Sequence, residues 1–131
     1  MLSCSHQMAL PYTIDGERQL VTVTLVGRIV GADIAEAIQR VYTDPAWQSG
    51  FNVVWDGTFI SELLFEQDDI PNFVALQRRY AEQAGPGRDV LVINRKIDEM
   101  MARMYVDLMK DVRLTSLAKS KWEAQRTLGP V

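Results

Sequence analysis

The sequence predicts a single α/β domain: a mixed, mainly parallel sheet with an N-terminal antiparallel hairpin, packed by about four helices. Three observations predict this class. A turn signal between two β-branched runs opens the fold, later apolar runs of strand length alternate with segments of helical period, and proline or glycine separates the segments. Strands that alternate with helices pair in parallel through right-handed crossovers, whereas the strands of a hairpin pair antiparallel.

Length and composition limit the class further. The 131 residues, 47% of them hydrophobic and 24% charged, fit one compact domain. Residues 1–9 show no periodicity and are expected to form a disordered tail ahead of a domain of residues 10–131. The net charge of −3 argues against a nucleic-acid surface. Cys4 has no disulfide partner, no apolar run is long enough for a membrane span, and the opening residues lack a secretory signal, so a cytoplasmic protein is expected.

The first two strands follow from Asp15-Gly16, which lies between β-branched runs and tolerates the positive φ of a tight turn. In the second run Val21, Val23 and Leu25 share one face while threonines occupy the other. Because side chains alternate along a strand, this pattern predicts a strand that is covered on one face. An antiparallel hairpin should therefore open the fold.

A helix and a buried strand come next. The helical segment has one apolar face, formed by Ile34, Ile38, Val41 and Tyr42. Asp33 and Glu36 make a capping-box-like pair at its start, and Asp44-Pro45 ends it. The run "FNVVW" then predicts a largely buried strand that ends at Asp56.

A long connection is predicted after this strand. Twelve residues lie between Trp55 and Asp68, whereas a βα connection usually takes about two to six. Since the segment also holds five large apolar residues, it is expected to be a mobile loop that faces a partner. Asp68 or Asp69 then caps a helix with Pro71 in its first turn, and "GPG" ends that helix.

The clearest elements are the strand "RDVLVINR" and the amphipathic helix "KIDEMMARMYVDLMK" that follows it. If Ile97 is at the centre of the buried stripe of this helix, Val106 and Met109 fall outside the stripe and are expected to be exposed. The chain closes with a short edge strand, "DVRLT", and a last helix, "SLAKSKWEAQRTL", which Gly129 ends.

This element order, together with "VVWDGT", "DVLVINR" and "VRLTSLAKSKWEA", resembles the STAS domain, and within it the SpoIIAA-like group of small bacterial proteins. The resemblance covers residues 10–128. It implies a mixed sheet packed by helices and a non-enzymatic regulatory protein that acts through protein partners. In the anti-sigma-factor antagonists of this family, a serine at the start of the helix after the central strand is phosphorylated, usually within an Asp-Ser-Ser/Thr-Gly motif.

The chain departs from that motif, because the corresponding region reads "LLFEQDDIP". Carboxylates at a helix N-terminus already interact with the helix dipole, and they repel an incoming phosphate. Thr58 and Ser61 are the candidate regulatory hydroxyls left in the segment. The usual phosphorylation switch is therefore not expected.

Polar residues follow two neighbouring strands of the predicted sheet. Asp56 and Thr58 come at the end of one strand, and Asn94 and Arg95 at the end of the next. Ligands of open α/β sheets bind at the carboxyl ends of the strands, so these residues form a candidate ligand cleft. Arg95 would take an anionic group there, and Asp56 an amine or a hydroxyl. The alternative is that Asp56 and Asn94 hydrogen-bond the turns that follow their strands.

Catalytic chemistry is not expected. His6 is the single histidine and lies in the predicted tail, so no histidine-based triad or zinc cluster can form. The acidic residues Glu66, Asp68 and Asp69 are explained by helix capping and solvation. We therefore expect no enzyme activity, no metal and no cofactor.

The leading hypothesis is regulation by protein contact, with self-association as a homodimer expected. The candidate interface residues are apolar: Leu63, Leu64, Phe65, Val106 and Met109. The alternative is a carrier or sensor of a small apolar or anionic ligand. It rests on the outline resemblance of the SpoIIAA-like group to the Sec14-like lipid-binding fold. Phe59, Leu63, Leu64 and Phe65 would line such a pocket.

Overall fold

The computed structural model describes residues 9–129. The expected tail, with Cys4 and His6, lies outside the described residues except for Ala9. Leu10, where the domain was expected to begin, is 4% exposed and belongs to the main hydrophobic core.

Five strands and five helices follow one another in the described chain. Their order is the predicted one, except that the helix predicted before "GPG" is divided at Tyr80 into two. The first half consists of β1 (Tyr12–Asp15), β2 (Leu20–Ile29), α1 (Gly31–Thr43) and β3 (Asn52–Leu63). The second half consists of α2 (Ile70–Arg79), α3 (Ala81–Ala84), β4 (Arg88–Val92), α4 (Glu99–Met109), β5 (Leu114–Ala118) and α5 (Lys121–Leu128). Short 3-10 turns precede α2 and α4, at Gln67–Asp69 and Lys96–Asp98.

All five strands form one sheet in the order β1-β2-β3-β4-β5. β1 pairs antiparallel with β2, and every later pair is parallel. The predicted mixed, mainly parallel sheet with an N-terminal hairpin is therefore confirmed. The parallel pairs follow from the helices between β2 and β5, because a parallel connection needs a crossover long enough to hold one.

The two faces of the sheet bury different cores. The larger core lies under α1, α2 and α4, and it includes Val21, Val23 and Leu25, the face predicted to be covered. The smaller core lies on the opposite face, where Ala124 and Leu128 of α5 pack with residues such as Val54 and Val90. Within residues 9–129, the short helix α5 is therefore the one helix that covers that second face.

The first helix confirms the sequence pattern and refines its cap. Ile38, Val41 and Tyr42 are buried, and Ile34 packs against the same core. Asp33 lies inside the first turn, where its Oδ2 accepts a hydrogen bond of 2.9 Å from the Val30 backbone N–H. Because the carboxylate satisfies a free donor at the helix start, it performs the capping function expected of this acid.

The predicted loop after Asp56 is wrong, because β3 continues to Leu63. Its second half pairs in parallel with the end of β2, for example Val26 with Phe59 and Ile29 with Leu63. The apolar residues that suggested a partner-facing loop lie in this strand or directly after it. Pairing with β2 satisfies the backbone groups that a loop would have exposed. The connection to α2 is correspondingly short.

The pairing of β3 with β2 contains two register shifts. Between Asp56 and Phe59, and again between Ile60 and Glu62, β3 has one residue more than its partner strand. Such bulges bend a strand and increase its twist. Gly57 lies in the first bulge, and a Cβ atom there would be 2.4 Å from the Val92 carbonyl oxygen. The close approach of β3 to β4 at this point therefore requires glycine.

The predicted orientation of α4 is also wrong. Ile97 lies in the 3-10 turn ahead of the helix and is 75% exposed, whereas Met109 is fully buried. The buried face of the helix consists of Ala102, Tyr105 and Met109, and Val106 is half-buried. A 3-10 turn has about three residues per turn and an α-helix about 3.6, so the direction of the Ile97 side chain does not indicate which face of α4 is buried. Met109 is excluded as an interface residue.

The last two elements begin later than the sequence predicted. β5 starts at Leu114 and includes Ser116 and Leu117, which the sequence pattern placed in the helix. Ser120 caps α5 by accepting a 3.1 Å hydrogen bond from the Glu123 backbone N–H. The Ser120 cap fixes where α5 begins, because a capping serine lies just before the first helical residue.

Candidate functional site

The four residues of the predicted ligand cleft differ in burial and in their hydrogen-bond partners. Asp56 is 2% exposed, and its Oδ1 accepts hydrogen bonds from the Thr58 backbone N–H at 3.0 Å and from the Thr58 hydroxyl at 2.5 Å. Arg95 is half-buried and donates through Nη1 to the Ile60 carbonyl at 3.5 Å. Asn94 is exposed. The Asp56 contacts lie within β3 at its first bulge, where no turn follows, so they do not have the turn-holding role considered as the alternative. Ligand binding by the four residues stays a prediction.

An apolar cavity lies nearby, between the sheet and the first turns of α2 and α4. Its volume is about 80 Å³, and about 590 Å³ when the space at its open side is included. The lining comes from three strands and three helices, with Ile60, Leu63, Phe65, Phe73, Met101 and Ala102 among its residues. Leu63 and Phe65 were predicted to line a pocket, whereas Phe59 and Leu64, predicted with them, are exposed.

Asp98 is the charged residue in the cavity lining. It ends the 3-10 turn before α4 and is 3% exposed. Its Oδ2 lies 3.4 Å from Arg95 Nε, yet the geometry makes no hydrogen bond, and Oδ2 has no hydrogen-bond partner among the described residues. Burial raises the pKa of the Asp98 carboxyl above its ordinary value, and the Arg95 guanidinium opposes that rise.

A second buried aspartate, Asp89, lies at the other end of the sheet, and both of its carboxylate oxygens accept hydrogen bonds. Asp89, at the start of β4, accepts hydrogen bonds from Arg113 Nε at 2.6 Å and from the Trp55 indole N–H at 3.2 Å. Arg113 also donates to the backbone carbonyls of Phe51, Ala84 and Gly85. Sequence patterns did not suggest this pair, because its partners lie 24 residues apart and no periodicity joins them.

The candidate regulatory hydroxyls occupy different settings. Thr58 is half-buried and hydrogen-bonded to Asp56, whereas Ser61 is exposed in the second half of β3. Before α2, the Asp69 carboxylate accepts a 2.9 Å hydrogen bond from the Glu66 backbone N–H. Carboxylates therefore occupy the helix start where the resemblance would place a serine.

Of the candidate interface residues, Leu63, Phe65 and Val106 are half-buried, Leu64 is exposed and Met109 is buried. Leu63 and Phe65 pack against the main core, and the Phe65 ring meets Phe73 edge to face at 5.2 Å between centroids. Leu64 is 40% exposed.

A more exposed apolar pair lies on β2 and β3, where Val26 is 47% and Phe59 is 60% exposed. The two residues are register partners, so their side chains lie side by side on one face of the sheet. Phe59 was predicted to line a pocket and to lie in a partner-facing loop, whereas Val26 was given no role in the prediction. Successive side chains of a strand point to opposite faces. Because Leu25 and Ile60 are buried in the main core, this alternation could have predicted that their neighbours Val26 and Phe59 lie on the opposite face.

Residues 9–129 contain neither a metal-binding cluster nor a membrane-spanning helix. No group of three or more His, Cys, Asp or Glu side chains there is arranged to hold a metal ion. In the same residues, no helix has both the length and the apolar character that crossing a membrane requires.

The fold, with its five-stranded mixed sheet, is STAS-like. A solved structure titled "Structure of the Anti-Sigma Factor Antagonist SpoIIAA in its Unphosphorylated Form" superposes with a TM-score of 0.51 over 93% of this chain and 100% of that one. The two sequences are 15% identical, so the likeness shows the fold alone. No known protein-family profile matches the chain. No curated protein matches it in sequence.

Proposed function

We propose that this protein is a non-enzymatic regulatory module that acts by contact with another protein. The observation that carries the proposal is the Val26–Phe59 pair, two large apolar side chains exposed side by side on the sheet face opposite the main core. α5 packs against β3, β4 and β5 on that face. Val26, toward the end of β2, and Phe59 beside it are left exposed by the described residues. Burying a phenylalanine side chain is worth about 1.5–3 kcal/mol, so a partner that covers the pair gains affinity.

The fold supports the same proposal. The protein whose structure is similar is named for antagonism of an anti-sigma factor, which is itself a protein. The proposed mode of action here differs in its control, because carboxylates occupy the helix start before α2 and the Thr58 hydroxyl is engaged by Asp56. Regulation would then follow from partner availability and not from phosphorylation. The cytoplasm is the proposed location, which the single cysteine favours.

Phe59→Ser tests the contact surface, and Trp122→Ser is its matched control. Trp122 is 68% exposed on α5, so both changes remove an exposed aromatic side chain from the protein surface. Proteins captured by the wild type would be identified and purified, and their affinities measured for all three forms. We expect at least a tenfold weaker affinity for Phe59→Ser, about 1.4 kcal/mol, and little change for Trp122→Ser.

Equal affinity of all three forms for the purified partner would reject this surface. Self-association is a separate outcome of the same set of variants. A wild-type dimer in sizing experiments that Phe59→Ser converts to monomer would identify the partner as a second copy of the chain. The Val106–Met109 patch no longer supports a dimer, because Met109 is fully buried.

A second candidate function, binding of a small apolar ligand, is favoured by the cavity under α2 and α4. The cavity is lined almost wholly by apolar and aromatic side chains and lies toward the carboxyl ends of the parallel strands. Open α/β sheets bind ligands at that edge. Co-purification of a small molecule, detected by native mass spectrometry, is the direct test of this second function.

A further inference from the structure

We propose that the cavity binds a small apolar molecule with a hydrogen-bond-donating head, a primary amine or a hydroxyl, and that Asp98 Oδ2 accepts the hydrogen bond from that head. The inference rests on the second candidate function, ligand binding in the cavity. It adds the chemistry of the head group and the residue that recognises it.

The apolar part of the ligand follows from the lining. Ile60, Leu63, Phe73 and Ala102 present hydrocarbon surface to the cavity, and an apolar cavity takes up apolar molecules in preference to water. Its volume of about 80 Å³ is smaller than the roughly 150 Å³ of an apolar protein cavity that binds benzene. A flexible alkyl chain that fills this enclosed part and extends toward the open side of the cavity therefore fits better than a rigid ring or a lipid. Met101, an unbranched and flexible side chain in the lining, can adjust to it.

The head group follows from Asp98. A carboxylate only accepts hydrogen bonds, and buried polar atoms are normally paired. The buried Oδ2 of Asp98 has no donor within residues 9–129, so it is an acceptor that a ligand head could satisfy. Arg95 does not fill it: its Nε is 3.4 Å away without hydrogen-bond geometry, and its Nη1 is directed to the Ile60 carbonyl. A ligand donor in the cavity would complete the coordination of Oδ2, whereas an anionic head would meet like charge.

The position of Asp98 suits both parts of one ligand. The residue lies where the 3-10 turn passes into α4, with the lining residues Met101 and Ala102 in the next turn of the helix. The Gln67 side chain also donates to Met100 Sδ at 4.0 Å, so the segment before α2 contacts the first turn of α4. An alkyl chain among the apolar residues would place its head at the Asp98 end.

Hexylamine, 1-hexanol and hexanoate are the probes, because they share one alkyl chain and differ in the head. Each would be titrated into the full chain at pH 7 by calorimetry, with chemical shifts of α2 and α4 amides followed by NMR. We expect hexylamine and 1-hexanol to bind and hexanoate to bind at least about tenfold more weakly. Asp98→Asn should weaken hexylamine about tenfold and 1-hexanol by less.

Asp107→Asn is the matched control, since Asp107 is an exposed aspartate on the same helix and its change removes the same charge. It should leave the binding of every probe unchanged. Ala102→Phe fills the cavity and should abolish the binding of every probe. Where Ala102→Phe fails to fold, Ile34→Phe tests the same point from α1, because Ile34 is a half-buried lining residue.

The outcomes separate the two levels of the proposal. If all three probes bind equally and Asp98→Asn changes nothing, Asp98 holds only a water, and the head-group inference is overturned while ligand binding stands. If no probe binds the wild type, the head-group inference is overturned together with the second candidate function. If hexylamine binds the cavity-filled variants with the same affinity as the wild type, it binds at the protein surface, and the proposed site is overturned.

Discussion

Two buried aspartates at opposite ends of β4 show how differently the two ends of the sheet are built. Asp89, at the amino end, has Arg113 and Trp55 as hydrogen-bond donors. Asp98, beyond the carboxyl end, has an oxygen beside an apolar cavity that no donor among the described residues reaches. An unsatisfied buried polar group costs about 1–3 kcal/mol, so the carboxyl end retains a cost that the amino end avoids. We infer that the amino end holds the fold together and that the carboxyl end binds.

The amino-end network joins several elements at once. Through its guanidinium, Arg113 connects Asp89 of β4 with the residue before β3, Phe51, and with the end of α3 at Ala84 and Gly85. Its surroundings leave no space, since a Cβ atom on Gly87 would lie 2.5 Å from Arg113 Nη2. Trp55 links this network to the cavity, because its indole N–H bonds to Asp89 while the residue also lines the cavity.

The largest expected effect comes from breaking the amino-end pair. Arg113→Met leaves the Asp89 carboxylate buried without its charged partner, which should lower the free energy of unfolding by about 3–5 kcal/mol. Urea titrations followed by circular dichroism measure it. Arg103→Met is the control, because Arg103 is exposed and pairs with Glu99 at 3.5 Å, and it should cost less than about 0.5 kcal/mol. A loss below 1 kcal/mol in Arg113→Met would contradict a structural role for the amino end.

The bulge in β3 should give the next largest effect. Gly57→Ala places a Cβ atom against the Val92 carbonyl and the Ile60 side chain, so we expect a loss of about 1–3 kcal/mol from strain. Gly16→Ala is its control, since nothing lies within 4 Å of a Cβ atom at that turn position, and a change within about 0.5 kcal/mol is expected. Equal losses in the two variants would show that the close approach of β3 to β4 is not needed.

Asp98→Asn should act in the opposite direction, with a gain in stability of about 1 kcal/mol at pH 7. Burial raises the pKa of Asp98 in the folded state, so its contribution to stability is full below the unfolded pKa. That contribution is lost as the pH rises through the folded pKa. The advantage of the asparagine variant should therefore grow from acid to neutral pH in paired thermal melts. A constant difference across that range would mean that Asp98 does not titrate differently on folding.

The smallest effect is expected from Ser61→Asp, because Ser61 is exposed and the change should alter stability by less than about 0.5 kcal/mol. Partner affinity should also be unchanged if phosphorylation plays no part. Thr58→Asp differs, since it removes the hydrogen bond to Asp56 and adds a second carboxylate beside it, and it should melt lower. A large loss of partner affinity in Ser61→Asp with unchanged stability would restore the phosphorylation switch.

The fold was more predictable than the site, for reasons visible in particular residues. Asp15-Gly16, the alternation from Val21 to Leu25 and the Asp44-Pro45 stop are local signals, and local signals predicted the element order. The length of β3 depends on pairing with β2 across two bulges, which no local pattern contains. The exposure of Ile97 depends on a 3-10 turn that shifts the helical phase. The cavity and both buried aspartates arise from elements distant in sequence, so the structure was needed to find them.

The most direct test of the contrast between the two ends is one set of thermal melts. Wild type and Asp98→Asn would be melted at pH 7 with and without hexylamine. A carboxyl end that keeps an open acceptor for binding predicts a crossover: Asp98→Asn melts higher without the amine, yet hexylamine stabilises the wild type more. A lower melting temperature for Asp98→Asn than for the wild type without the amine, together with equal gains when the amine is added, would contradict the difference between the two ends.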